Sequence, residues 1–106
     1  MSNKYLIVIV EDEYNISSFV SAVLQANGFD TMVARNGAEA IILITSHCPD
    51  LVLLDLGLPD MDGQGIIENV RGWSNVPIIV VSARTRERDK VMALESGADD
   101  YITKPF

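Results

Sequence analysis

Three carboxylates and one lysine occupy positions from which a folded chain could use them for chemistry. Glu11 and Asp12 directly follow a short apolar run, and Asp55 lies near the end of a second one. Two carboxylates about 4 Å apart repel each other by roughly 4 kcal/mol at an effective dielectric constant near 20. If these side chains converge, positive charge must offset the repulsion. Lys104, which follows a third apolar run, can supply part of that charge.

A divalent cation is the natural source of the remaining positive charge. Mg²⁺ binds one or two carboxylates together with carbonyl or water oxygens, and it keeps part of its hydration shell. The backbone carbonyl of Gly57, two residues after Asp55, is a candidate neutral ligand. We therefore predict Mg²⁺ as the cofactor, bound by Glu11, Asp12, Asp55 and this carbonyl.

The same residues could carry out phosphoryl transfer. An ionised aspartate beside a cation and a lysine can attack phosphorus and form an aspartyl phosphate. Such a transfer depends mainly on charge neutralisation and alignment, which a metal ion and an ammonium group provide. We predict Asp55 as the attacking group and Lys104 as the neutralising group. Ser82, at the end of another apolar run, is the candidate hydroxyl donor to a phosphoryl oxygen.

Short β-branched runs alternate with segments of helical periodicity along the chain. The strand-like runs cover residues 5–10, 29–34, 51–56, 76–81 and 101–103, and helical spacing marks residues 16–24, 37–46, 66–70 and 91–95. Continuous apolar runs are typical of strands buried on both faces of a parallel sheet. The alternation predicts a doubly wound α/β domain, with Gly28 and Gly97 ending two of its helices. Ligands bind beyond the carboxyl ends of such strands, where the candidate residues fall.

The composition limits the number of domains, the partners and the compartment. With 106 residues, of which 48% are hydrophobic, the chain fits a single globular domain. Its net charge of −7 argues against direct binding to nucleic acid or anionic lipid. The single cysteine, Cys48, excludes an internal disulfide, and the first apolar run is too short to span a membrane. We expect a cytoplasmic protein that contacts neither nucleic acid nor membrane directly.

Four motifs follow one another along the whole chain: VIVEDE, VLLDLGLPDMDG, IIVVSAR and GADDYITKPF. Together they resemble the receiver domains of bacterial two-component response regulators. Tyr101 and the GADDYITKPF ending are similar to the OmpR/PhoB subfamily, whose members usually carry a winged-helix DNA-binding domain. Within that subfamily, the chain is most similar to potassium-transport (Kdp) regulators. The runs that carry this similarity are DLGLPD, RGWSNVP and SARTRERDK.

The resemblance implies a fold, a function and a role for each candidate residue. The fold is flavodoxin-like, with five parallel strands in the order 2-1-3-4-5. The function is that of a signalling switch that binds Mg²⁺ and accepts a phosphoryl group on Asp55 from a sensor histidine kinase. Phosphorylation then changes the surface formed by the fourth helix and the fifth strand. The implied roles are metal binding by Glu11, Asp12, Asp55 and the Gly57 carbonyl, catalysis by Lys104, and switching by Ser82 and Tyr101. Pro105 matches a proline that usually follows a cis bond.

Two features depart from the family pattern. The acid pair begins with Glu11 rather than an aspartate, which is common in the subfamily and compatible with metal binding. Family receivers continue through a fifth helix, whereas this sequence stops at Phe106. We expect one receiver domain over residues 1–106, without an output domain and with one sheet face covered by the first helix alone. The family's dimer surface on the fourth helix, fifth strand and fifth helix is then incomplete, and exposed apolar surface favours self-association or helix exchange.

Two other functions are compatible with the fold class. A Mg²⁺-dependent phosphohydrolase with an aspartyl nucleophile usually has a second acid two residues beyond it, and Gly57 occupies that position. A flavodoxin-like nucleotide carrier needs a Ser/Thr/Gly-rich phosphate loop after the first strand, and Glu11 follows that strand instead. We therefore expect no enzyme activity beyond the chain's own phosphorylation and dephosphorylation.

The remaining polar and aromatic residues are interpreted as structural. We assign Glu13 to the amino end of a helix, Asp60 and Asp62 to a turn, Asp99 and Asp100 to a solvated loop, Trp73 to a surface-to-core anchor, and His47 and Cys48 to a connection. Dimer contacts are the second interpretation of Asp99 and Asp100.

Overall fold

Strands and helices alternate through the structure, a computed structural model that describes residues 4–105. The strands are β1 (Leu6–Val10), β2 (Asp30–Ala34), β3 (Leu51–Leu54), β4 (Ile78–Ser82) and β5 (Asp100–Thr103). The helices are α1 (Tyr14–Ala26), α2 (Gly37–His47), α3 (Gly63–Arg71) and α4 (Glu87–Ser96). All strands pair in parallel in one sheet with the order β2-β1-β3-β4-β5, which confirms the predicted flavodoxin-like fold.

The two faces of the sheet bury alternate residues of each strand. One face joins α2, α3 and α4 in the main core through six almost fully buried strand residues: Val8, Val10, Val52, Leu54, Ile78 and Val80. Burying each such side chain stabilises the fold by about 1.5–3 kcal/mol. Among the described residues, α1 is the helix that packs on the other face, against β1 and β2. An apolar groove of about 200 Å³ lies beside it, and Ile102 in this groove is 42% exposed.

The pairing register brings the carboxyl ends of β1 and β3 together. Val10 lies opposite Leu54, and the N–H of Asp55 donates to the Val10 carbonyl at 3.0 Å. The residues that follow these two strands, Glu11 and Asp55, therefore leave the sheet side by side. On the far side of β3, β4 ends at Ser82.

Local sequence chemistry explains several helix ends. The side chains of Asn36 and Asp62 cap α2 and α3 by accepting hydrogen bonds from N–H groups of the first turn. Gly28 and Gly97 adopt φ angles of 90° and 119°, as expected of residues that end helices in the left-handed region. Cys48 ends α2 with a φ of 44°, which its residue type does not predict. None of the described helices has the length and apolar character needed to cross a membrane.

The predicted third strand is shorter in the structure than in the sequence pattern. The run 51–56 is extended only as far as Leu54. Beyond it, the carbonyl of Leu56 accepts from the N–H groups of Leu58 and Gly63 at 3.1 and 2.9 Å, which turns the chain toward α3. Leu56 nevertheless stays fully buried, so its apolar character reflects the core and not the strand.

The interpretation of Trp73 as a surface-to-core anchor is wrong. Its side chain is 48% exposed, and its ring nitrogen donates to the side-chain oxygen of Asn69 at 3.0 Å. Trp73 lies in the turn just beyond α3, and its indole contacts an exposed residue of that helix.

Asp99 lies in the loop before β5 with its side chain 57% exposed, as predicted, but it also has specific partners. One of its carboxylate oxygens, Oδ2, accepts from the N–H of Ile78 at 2.8 Å and lies 3.1 Å from Nη2 of Arg71. Arg71 also donates through Nε to the carbonyl of Gly97 at 2.9 Å. These contacts tie the start of β4 and the end of α3 to the loop before β5.

Asp60 does more than form a turn. Its two carboxylate oxygens accept from the N–H groups of Gly37 and Ala38 at 2.7 and 3.0 Å, across more than twenty residues of sequence. These two hydrogen bonds lower the pKa of Asp60. The loop after β3 therefore caps the amino end of α2 from outside that helix.

Candidate functional site

The three predicted acids converge at the carboxyl edge of the sheet. One carboxylate oxygen from each of Glu11, Asp12 and Asp55 lies within 4.8 Å of the others. The side chain of Glu11 is 5% exposed and that of Asp55 is 12% exposed, whereas Asp12 faces solvent. The cluster therefore has a buried floor and one open side.

Lys104 projects into this cluster from the end of β5. Its ammonium nitrogen, Nζ, lies 2.6 Å from Oε1 of Glu11 and 3.4 Å from Oδ2 of Asp55. The N–H of Lys104 donates to the Ser82 carbonyl at 2.8 Å, so the lysine continues the pairing of β4 and β5. The peptide bond between Lys104 and Pro105 is cis, as the resemblance implies. The ammonium group thus offsets the repulsion between the two buried acids.

Burial and charge act against each other in the pKa values of this pair. Burial raises the pKa of Glu11, and the nearby charge of Asp55 adds to this, although the hydrogen bond from Lys104 opposes both. Burial acts to lower the pKa of Lys104, but its hydrogen bond to Glu11 and the charge of Asp55 outweigh that effect and raise it. The lysine therefore stays charged, and Glu11 takes up a proton more readily than an exposed glutamate.

Hydrogen bonds from nearby backbone N–H groups orient the two buried acids. Oε2 of Glu11 accepts from the N–H of Glu13, and Oδ1 of Asp55 accepts from the N–H of Gly57, both at 3.2 Å. Each acid therefore uses one oxygen for the lysine and the other for the backbone two residues downstream. Glu13 itself is the N-cap residue of α1, at the amino end of that helix as predicted.

The donor set fits a hard divalent cation. It consists of carboxylate oxygens, with Asp12 on the side open to water, and such all-oxygen sites suit Mg²⁺ better than softer metals. The fourth predicted ligand, the carbonyl of Gly57, belongs to the turn that begins at Asp55.

The two predicted switch residues share a neighbour in the loop after β4. Ser82 is 1% exposed, and its hydroxyl oxygen accepts from the N–H of Arg84 at 3.2 Å. Tyr101 is half-buried, and its hydroxyl donates to the carbonyl of Arg84 at 2.8 Å. Burial raises the pKa of Tyr101. Sequence analysis did not single out Arg84, because nothing in the run SARTRERDK shows which residues it meets in space.

The turn after Asp55 offers no free acid to a leaving group. Gly57 occupies the position where a phosphohydrolase has its acid. The nearby acids have other partners, since Asp60 caps α2 and Asp62 caps α3 and pairs with Arg84 at 3.1 Å. The geometry therefore does not favour the alternative of an aspartyl phosphohydrolase.

Known proteins are similar to this sequence over nearly its whole length. Residues 7–106 match the family described as the response regulator receiver domain. The transcriptional regulatory protein KdpE of Mycobacterium tuberculosis H37Rv is 46% identical over 101 residues, which cover 95% of this chain and 45% of KdpE. KdpE of Escherichia coli K12 is 46% identical over 100 residues, which cover 94% of this chain and 44% of the relative. The chain therefore spans less than half the length of these curated relatives.

Solved structures share the fold. The receiver domain of the Francisella response regulator 1452 has a TM-score of 0.91 and 35% identity, and the match covers 97% of this chain and 86% of that one. The BeF3-activated receiver domain of Klebsiella pneumoniae RstA also has a TM-score of 0.91 and 35% identity, with 95% of this chain and 86% of that one covered.

Proposed function

Because the chain belongs to the response regulator receiver domain family, we propose that it is a phosphoacceptor switch in which Asp55 takes a phosphoryl group from a sensor histidine kinase. The observation that carries this proposal is the ion-paired cluster at the carboxyl edge of the sheet. It combines a buried carboxylate, Asp55, with an ammonium group at 3.4 Å and two further acids that could hold a cation.

The transfer exchanges one bond to phosphorus for another. A carboxylate oxygen of Asp55 forms a P–O bond while the P–N bond to the kinase histidine breaks, and the departing imidazole keeps the electron pair and takes a proton from water. Lys104 holds positive charge beside the attacking carboxylate. Glu11, Asp12, Asp55 and the Gly57 carbonyl are the proposed Mg²⁺ ligands, and the bound ion supplies charge neutralisation for the phosphoryl oxygens.

Phosphorylation then changes the conformation through two hydroxyl groups. We propose that the Ser82 hydroxyl turns to donate to a phosphoryl oxygen, and that Tyr101 changes its position in response. The affected surface is that of α4 and β5, where Val91 and Leu94 of α4 are 43% and 47% exposed. If the phosphoryl group interacts a few kcal/mol more favourably with the switched conformation, that conformation changes from the minor to the major one.

The relatives are longer proteins, and their names describe a role in transcription. KdpE is a transcriptional regulatory protein, and this chain corresponds to less than half of it. We propose that residues 1–106 form the receiver unit of such a cytoplasmic regulator and that the α4–β5 surface governs a transcriptional output or a homodimer contact. The receiver unit itself contributes no nucleic-acid binding, consistent with its net charge of −7.

Labelling by a small phosphodonor tests the proposal directly. Wild-type protein incubated with acetyl phosphate and Mg²⁺ gains one phosphoryl group, detected as a mass increase on the intact chain. Asp55→Asn abolishes the gain, whereas Glu68→Gln, which removes an exposed acid of α3, leaves it unchanged. Labelling of Asp55→Asn at the wild-type level would remove Asp55 from the role.

A further inference from the structure

The segment between β3 and α3 carries one proposed Mg²⁺ ligand, the carbonyl of Gly57, and is closed on itself at its base. Gly57 pairs with Asp62 in an antiparallel bridge, and the carbonyl of Leu56 accepts from the N–H of Gly63 at 2.9 Å. Both contacts join the start of the segment to the start of α3. The tip of the segment, residues 58–61, lies beyond these contacts and needs a support of its own.

Asp60 joins this tip to α2. Its oxygens Oδ1 and Oδ2 accept from the N–H groups of Gly37 and Ala38 at 2.7 and 3.0 Å. These N–H groups belong to the first turn of the helix, where they have no intrahelical acceptor. The N-cap residue Asn36 accepts from a different group, the N–H of Glu39, at 2.8 Å. Asp60 therefore supplies the part of the cap that Asn36 does not.

Close packing at Gly37 adds an apolar contact to these hydrogen bonds. Gly37 is buried, and a Cβ atom at this position would overlap the side chain of Met61. Met61 also packs against the main core. α2 is itself fixed to that core, because its residues Ala40 and Ile44 are almost fully buried. The tip of the segment is therefore attached to a well-packed helix.

Side-chain packing does not fix Gly57 itself. The residue is exposed, and within the described part of the chain a Cβ atom at this position would meet no heavy atom within 4 Å other than those of its chain neighbours. Its N–H donates to Oδ1 of Asp55 at 3.2 Å. The orientation of the Gly57 peptide therefore depends on the backbone contacts at the base of the segment and on the support of its tip.

The cap also connects the two parts of the chain that carry the proposed ligands. The N–H of Glu11 donates to the carbonyl of Ala34, the last residue of β2, at 2.9 Å. α2 begins shortly after this residue, at Gly37. On the other side of the site, Asp60 holds the segment that follows Asp55 against the same helix. β2 and α2 therefore support both sides of the acid cluster.

We infer that Asp60 is a positioning residue of the metal site, and that its cap on α2 keeps the Gly57 carbonyl in place for Mg²⁺. This inference rests on the proposed function. Mg²⁺ requires nearly ideal octahedral coordination at short distances, so its affinity falls when a ligand is free to move. Without the cap, the tip of the segment gains freedom, and the Gly57 peptide samples orientations that bind the ion less well.

The Kd for Mg²⁺ in the folded protein tests the inference. MgCl₂ is titrated at an ionic strength of about 0.15 M, where the Debye length is about 8 Å, and the backbone N–H signals of Asp12 and Gly57 in NMR spectra report binding. Asp60→Ala raises the Kd about ten-fold, the lower end of the range for residues that orient metal ligands. Asp60→Asn keeps one acceptor oxygen and raises the Kd less.

Two matched variants separate positioning from a loss of stability and from a loss of charge. Asp50→Ala removes another exposed aspartate, whose Oδ2 accepts from the N–H of Leu6 at 2.8 Å at the amino ends of the strands. It lowers stability, because a backbone donor loses its acceptor, but it leaves the Kd unchanged. Glu39→Gln removes a negative charge from the first turn of α2 and leaves both hydrogen bonds of Asp60 in place, so the Kd changes only slightly.

The inference and the proposed function fail in different ways. A Kd for Asp60→Ala equal to that of the wild type, or raised no more than in Glu39→Gln, overturns the inference while the metal site itself stands. N–H signals of the wild type that do not respond to Mg²⁺ overturn the metal site of the proposed function, and the inference with it.

Discussion

The ammonium nitrogen of Lys104 lies 2.6 Å from Oε1 of Glu11, although the two residues are 93 positions apart in the sequence. The lysine follows β5 at one edge of the sheet, and the glutamate follows β1 near its centre. Its side chain must therefore reach back over the ends of β4 and β3 to meet Glu11. This contact closes the candidate site on the side of β5.

Removing the lysine should leave the buried acids without their counter-charge. We expect Lys104→Met to lower the free energy of unfolding at pH 7 by about 3 kcal/mol, the lower end of the range for breaking a buried pair, because Glu11 can take up a proton. Urea denaturation with a chelator present measures the change. Lys90→Met, which removes a lysine that pairs with no acid among residues 4–105, is the control. Equal stability of the two variants would contradict a compensating role for Lys104.

Mg²⁺ should stabilise the protein through the acid cluster. An ion that binds only the folded state adds about 2.7 kcal/mol at a concentration one hundred times its Kd. We expect the Tm of the wild type to rise with added Mg²⁺. Asp12→Asn, which changes the exposed member of the cluster, reduces that rise. Glu13→Gln removes the adjacent acid outside the cluster and is the control. A rise of equal size in the Asp12 and Glu13 variants would place the ion elsewhere.

The cap that Asp60 provides to α2 should make stability depend on pH. The folded-state pKa of Asp60 is lower than its ordinary value of 3.8. Its contribution is therefore present above that ordinary value and is lost as the pH falls through the lower folded-state value. We expect Asp60→Ala to unfold at lower urea concentration than the wild type at pH 7, and the difference to shrink below about pH 4. A difference that stays constant between pH 7 and pH 3 would show that the charge of Asp60 does not contribute.

Asp99 should stabilise the junction between α3 and β4. Asp99→Ala leaves the N–H of Ile78 without its acceptor and Arg71 without its ion pair. We expect a loss of about 2 kcal/mol in the free energy of unfolding, with Asp99→Asn losing less because it keeps an acceptor oxygen. Glu95→Ala, an exposed acid of α4, should lie within about 0.5 kcal/mol of the wild type. If the two alanine variants are equally stable, Asp99 is the solvated acid that its sequence position indicates.

The order of the elements and the positions of Glu11, Asp12 and Asp55 could be predicted from the sequence. Apolar runs and helical spacing are local patterns, because burial repeats with the period of the element that is buried. In a parallel sheet, every strand ends at the same edge, so acids that follow strands converge there. That rule predicted the cluster, and the motifs that resemble receiver domains added the strand order and the cis bond before Pro105.

Contacts that form only when distant segments meet could not be read in the same way. The cap that Asp60 places on α2, the pairing of Asp99 with Arg71, and the position of Arg84 between Ser82 and Tyr101 all join different elements. A carboxylate in a polar turn has the same local pattern whether water or an N–H group of another helix is its partner. Which of these two partners the carboxylate has depends on how α2, α3 and α4 pack on the sheet, and not on its neighbours in the sequence.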